Sequence, residues 1–171
     1  MKRIVFISLT VAVVFSGIFF RATEAGAVDL NHSFVAGLDL GFDLDPDLFA
    51  SGLNIEYHVT KNVALGPLLT LGIDSEHHLF GTSGMAKYKA NLTENEKLKP
   101  YGQVGVGFLI WEEEKKKGKK EDWEKDTLFL FPVGGGFEYW VNSNIAWGSN
   151  ILFNITEDIF ITFFAGIRYR F

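Results

Sequence analysis

From Ser33 onward the chain alternates. Phe34, Ala36, Leu38, Leu40 and Phe42 share one parity, while Ser33, Val35, Gly37, Asp39, Gly41 and Asp43 share the other. An extended strand built this way has one greasy face and one small or charged face. The same two-residue period recurs in residues 52–59, 63–73, 80–92, 101–111, 127–141, 145–155 and 160–171, and no segment carries a convincing helical stripe. Eight strands in so short a chain leave only short connections, which predicts an antiparallel up-and-down barrel. The one long polar connection, "EEEKKKGKKEDWEKD" at residues 112–126, reads as a solvated loop.

Alternation alone does not say which face looks outward. A secreted lipocalin-like barrel turns its greasy face in, toward a small ligand, whereas a membrane barrel turns it toward lipid. A repeated motif separates the two. The second, fourth, sixth and eighth strands contain "IEYHV", "AKYKA", "FEYWV" and "IRYRF", each reading apolar, charged, Tyr, variable, apolar. In an up-and-down meander all four sit at one end of the barrel. Tyr57, Tyr88, Tyr139 and Tyr169, four of the five tyrosines, then lie on the greasy face at one height, the pattern of an interfacial aromatic girdle.

The other face carries matching evidence. The residues before those tyrosines are Glu56, Lys87, Glu138 and Arg168, alternating in sign, and inside a narrow barrel they can converge and neutralise one another. Lys89 and Arg170 can join from the next inward positions. Gly37, Gly41, Gly52, Gly66, Gly72, Gly105, Gly107, Gly134, Gly136, Gly148 and Gly166 share this polar parity, as a crowded lumen requires. The same row on a soluble sheet is a solvated face, but it explains neither the tyrosine rim nor the glycines.

Composition narrows the setting. Lys2 and Arg3, an apolar run over residues 4–20 and "AGA" at residues 25–27 make residues 1–27 a secretory signal peptide and residues 28–171 the barrel domain. Without the leader the chain has 13 basic and 20 acidic residues, which argues against nucleic acid as a partner. There is no cysteine, hence no disulfide framework, lipidated Cys or thiol chemistry.

On these motifs, and above all on "EYHVTKNVAL", "EYWVNSNIAW" and the terminal "GIRYRF", the chain from Ser33 to its end resembles the small eight-stranded outer-membrane barrels of Gram-negative bacteria, the OmpA/OmpX-like superfamily. The resemblance implies a transmembrane β-barrel in the bacterial outer membrane, in contact with its lipid and lipopolysaccharide. It also implies Ile167, Tyr169 and Phe171 as the C-terminal signal read by the barrel-assembly machinery. Both termini and the short turns are then periplasmic, and the segments near residues 45–49, 74–79, 112–126 and 156–158 lie outside.

Other chemistry is thin. "DSEHHLF" at residues 74–80 holds Asp74, Ser75, Glu76, His77 and His78 at the outer rim, and some similar barrels are lipid A-modifying enzymes. Adjacent loop residues, however, rarely align a serine, a base and an orienting acid. The same histidines point apart on an extended chain and are poorly spaced for a metal. His58 is expected in the lumen in a hydrogen-bonded structural role. "GQVGVG" lies within a strand and is no dinucleotide motif. Eight strands enclose no open channel. The expectation is therefore an all-β, eight-stranded antiparallel transmembrane barrel with a plugged lumen, monomeric, without catalysis, metal or cofactor. The alternatives are a lipid A-modifying enzyme or a soluble ligand-binding barrel.

Overall fold

The computed structural model describes residues 30–44, 47–74, 77–90, 97–117 and 120–171, and their side chains apart from residues 113–124. The expected leader at residues 1–27 lies outside the described residues. Eight strands follow in order: β1 (Phe34–Leu44), β2 (Leu48–His58), β3 (Val63–Ile73), β4 (His77–Lys89), β5 (Leu98–Lys117), β6 (Lys120–Trp140), β7 (Ile145–Ile155) and β8 (Ile159–Arg170). Each pairs antiparallel with the next, and β8 closes on β1. A circuit through paired residues that leaves β1 at Phe34 returns to it at Leu44, a shear of ten residues. Such a shear tilts the strands by about 40° to the barrel axis.

The facing of the wall is settled by burial. Phe34, Leu38, Phe49 and Phe108 are more than half exposed, whereas Asp39, Glu56, Glu138 and Arg168 are no more than 3% exposed. The greasy parity is outside and the charged parity inside, the reverse of a soluble barrel, so the lipocalin-like arrangement is excluded. Outward rows run from Phe49 through Leu53 and Ile55 to Tyr57 on β2, and from Phe80 to Tyr88 on β4. Eight residues at about 3.3 Å each, tilted by about 40°, rise roughly 20 Å, close to the height of a lipid-facing band.

The segment at residues 112–126 is not a loop. It continues β5 and β6 as a paired hairpin out to Lys117 opposite Lys120. The hydrophobic period is lost there, which is why alternation misses it. The register instead sets Lys115 opposite Asp122 and Lys116 opposite Glu121, and Lys125 Nζ lies 3.1 Å from Glu112 Oε1. Opposite charges across a ladder favour pairing much as apolar pairs do, by some tenths of a kcal/mol each. β2 likewise starts earlier than the alternation indicates, at Leu48.

The interior is layered rather than uniformly polar. Leu30, Val35, Trp140 and Ala146 close the end at which β1 begins and β8 ends. Leu48, Leu79, Leu109, Leu130 and Phe160 close the opposite end, with Trp111 and Leu128 against them. Ala50, Leu68, Met85, Leu152 and Phe164 form a third apolar layer. The inward face is therefore not only small and charged: apolar side chains interrupt its polar rows and exclude water on both sides of the ion pairs.

Leu53 sits midway between Phe49 and Tyr57 on the outward row of β2 and is 46% exposed. Leu53→Arg places a charge at mid-band and should lower the unfolding free energy of the lipid-reconstituted barrel by about 2–4 kcal/mol in a denaturant titration. An unchanged midpoint counts against lipid contact at that position.

Candidate functional site

Parity sends Glu56 from β2, Lys87 and Lys89 from β4, and Glu138 from β6 into one level of the lumen. Lys87 Nζ donates to Glu56 Oε1 at 2.5 Å, and Lys89 Nζ donates to Glu56 Oε2 at 2.8 Å. Lys89 also donates to both carboxylate oxygens of Glu138, at 2.9 Å each. Lys89 is thus the bridge that joins two buried acids, and it is itself fully buried. Lys87 stands 4.9 Å from the centre of the Tyr101 ring, an added cation–π contact. Lys99, fully buried on β5, lies opposite Glu138 in the β5–β6 register.

Arg168 is at the same level but takes a different acid. Its Nη1 donates to Asp39 Oδ1 at 2.7 Å, and Asn54 Nδ2 donates to Asp39 Oδ2 at 3.0 Å. The four expected residues are therefore divided: Glu56, Lys87 and Glu138 are linked through Lys89, while Arg168 pairs with Asp39. The reason is the register, which puts Gly37 of β1 beside Arg168 and leaves room for its side chain to reach Asp39. A Cβ on Gly37 would lie 2.6 Å from Arg168 Cδ and 2.7 Å from Asn54 Oδ1, so only glycine fits. Arg170 is half-exposed at the rim, its backbone N–H donating to Asn144 O at 2.8 Å. His58 does face the lumen and is fully buried, but neither ring nitrogen has a hydrogen-bond partner among the described residues. The expected hydrogen-bonded role of that ring is corrected: the hydrogen bonds at this residue are those of its backbone, whose N–H donates to Ser33 O at 2.9 Å and whose carbonyl accepts from the His32 N–H at 3.0 Å.

A second polar group lies toward the other end, where Asn154 Nδ2 donates to Thr162 Oγ1 at 2.7 Å and the Thr162 hydroxyl donates to Asp43. Between the two groups the side chains leave a cavity of about 10 Å³ beside Asn54, Glu56 and Asn150. That is about the space one water needs and far too small for a solute path.

On the outer face Tyr57, Tyr88 and Tyr169 are exposed and Tyr139 is half-exposed, all directed away from the lumen. The register steps from one to the next in the same sense, by two to four residues, and the steps complete the shear of the barrel. A row displaced in this way stays at one height in a tilted wall. Phe34 packs on Tyr57 at 4.9 Å between ring centres, and Phe171 meets Tyr169 edge-on at 5.2 Å. Ile167, Tyr169 and Phe171 form an outward row, with the Phe171 N–H donating to Phe34 O at 3.0 Å. The opposite rim is lined by phenylalanines, with Phe42 stacked on Phe163 at 5.2 Å and Phe108 edge-on to Phe129 at 6.1 Å.

At that opposite rim the His77 N–H donates to Asp74 Oδ1 at 2.7 Å, and His77 Nδ1 lies 3.1 Å from Asp74 Oδ2. The His77 ring rests 5.1 Å from that of Trp111. Ser75 and Glu76 lie outside the described residues. Among the described residues no three of His, Asp or Glu are grouped as metal ligands.

Solved structures of similar shape include outer-membrane proteins. The N-terminal β-barrel domain of OprF from Pseudomonas aeruginosa aligns over 82% of this chain and 98% of its own, with a TM-score of 0.61 and 19% identity. The chain has the fold of the small eight-stranded outer-membrane barrels. Neisserial surface protein A aligns over 81% of this chain and 96% of its own, with a TM-score of 0.63 and 15% identity. Ail, the attachment invasion locus protein of Yersinia pestis, aligns over 81% and 97%, with a TM-score of 0.59 and 15% identity. No family model and no curated protein matches the sequence.

Because Lys89 bonds both oxygens of Glu138 and one of Glu56, Lys89→Met removes three charge-assisted hydrogen bonds, leaves Glu56 only Lys87, and should destabilise the refolded barrel by roughly 3–5 kcal/mol. Lys87→Met should cost distinctly less, since Lys89 still contacts Glu56. Equal and negligible shifts of the two unfolding midpoints would show that the buried ion pairs hold nothing together.

Proposed function

We infer that this is a non-enzymatic integral protein of the bacterial outer membrane, with a structural or surface-interaction role and a sealed lumen. The observation that carries the reading is the inverted wall: apolar side chains stand more than half exposed while buried acids and bases pair inside. In water such a surface aggregates; in a bilayer it is solvated by acyl chains. Tyr57, Tyr88, Tyr139 and Tyr169 act as the girdle at the periplasmic headgroups, where ring and hydroxyl each find a suitable layer. Ile167, Tyr169 and Phe171 serve as the signal for the barrel-assembly machinery, and residues 1–27 as a cleaved leader. The protein works as a monomer in its own membrane, among lipid and lipopolysaccharide.

An enzymatic reading has little to build on. Asp74 and His77 close a turn on each other, which occupies the acid and the base of that segment, and Ser75 lies outside the described residues. Cell fractionation with a gel-shift assay tests the proposal. The protein should pellet with the outer membrane and migrate differently before and after boiling, and lipid A from overexpressing cells should keep its mass spectrum. Recovery as a soluble periplasmic protein would overturn the membrane reading; a changed lipid A mass would overturn the non-enzymatic one.

A further inference from the structure

The barrel wall ends before the β5–β6 hairpin does. β7 accompanies β6 only as far as Ile155 opposite Phe131, and β4 accompanies β5 only as far as His77 opposite Glu113. The hairpin itself stays paired out to Lys117 and Lys120. On the side facing away from β5, β6 therefore carries a strand edge from Lys120 to Leu130 that pairs with no other strand among the described residues, beyond the rim opposite the tyrosines. Natural proteins usually keep such edges short or covered, because an open row of backbone donors and acceptors pairs with any compatible strand.

The sequence of this edge is compatible with itself. Over "KEDWEKD", residues 120–126, an antiparallel pairing of two copies centred on Trp123 sets Lys120 opposite Asp126 and Glu121 opposite Lys125, in both directions. Only Asp122 opposite Glu124 is a like-charge pair. A slip by one residue instead faces Lys120 with Lys125 and Glu121 with Glu124, so charge selects the register. Lys125 is 58% exposed although it contacts Glu112, and remains within reach of a neighbour.

We propose that the β6 edge is a homophilic docking strand that pairs with the same edge of a second copy in a facing membrane. The direction follows from the geometry: a two-fold between antiparallel copies of one strand reverses its direction, so the second barrel points the opposite way. The length suits it as well. Trp123 stands roughly 25 Å of strand beyond Phe131 at about 3.3 Å per residue, and Lys120 of one copy reaches only Asp126 of the other, short of the partner's wall. A single seven-residue ladder falls below the usual size of a stable interface, so the contact works through many copies held between two surfaces. This inference names the partner for the surface-interaction role above and rests on it.

The test uses full-length barrel refolded into phosphatidylcholine vesicles, where folding is checked by gel shift independently of any clustering, so failure here is distinct from failure of the membrane reading. Wild-type vesicles should cluster at physiological salt, read by light scattering. Glu121→Lys vesicles alone and Lys125→Glu vesicles alone should each cluster at least tenfold more slowly, since each now opposes like charges. A mixture of the two variants, complementary to one another, should recover the wild-type rate. Dispersed wild-type vesicles, single variants that cluster as wild type does, or a mixture that stays dispersed would each overturn the proposal.

Discussion

A charge enclosed by eight strands has no water to turn to and must find another charge. That constraint governs the lumen. Lys89 lies between Glu56 and Glu138 with all of its surface covered, and Arg168 is matched by Asp39. Removing one partner leaves the other uncompensated in a low-dielectric interior, which costs far more than a surface ion pair contributes. The apolar layers above and below sharpen the effect. Leu30 and Trp140 on one side, and Leu48, Leu130 and Phe160 on the other, keep solvent from relieving any mismatch. The glycines follow from the same crowding: at Gly37 the space that a methyl group would take is already filled by Arg168 and Asn54.

The outer face answers the complementary constraint. Lipid offers no hydrogen bonds, so the wall must satisfy its own backbone by closing, and must present side chains that need none. The shear that closes the ladder also levels the tyrosines, because each step in register compensates for the tilt of the strands. Inside and outside are thus coupled through one geometric quantity, the ten-residue displacement around the barrel. Above the rim that coupling ends. There the β5–β6 hairpin continues without neighbours, and charge pairing across the ladder replaces hydrophobic alternation.

Much of this was legible in the sequence, and the division is physical. β3 and β7 span the segments that alternation marks, because period two is a property of one strand at a time. The level row of Tyr57, Tyr88, Tyr139 and Tyr169 was legible because four copies of one motif fall on strands running in one direction. Which acid meets Arg168 was not, since that depends on register across the β1–β8 seam, where Gly37 and not a charged residue is opposite. Nor were the apolar closures: Val35 and Trp140 at one end, and Leu48, Leu130 and Phe160 at the other, lie on different strands and meet as layers only after closure. The hairpin extension was hidden for the opposite reason: its paired strands carry charge where alternation needs apolar residues.

One parity of the wall meets lipid and the other a sealed interior. The chain has no cysteine, so single cysteines can be introduced and spin-labelled one at a time along β2 from Phe49 to Tyr57 in the reconstituted protein. Collisional relaxation by oxygen, which concentrates in lipid, should be high at Phe49, Ser51, Leu53, Ile55 and Tyr57, and low at the alternate positions between them. A reversed alternation, or positions that respond chiefly to a water-soluble relaxer along the whole strand, would contradict the account.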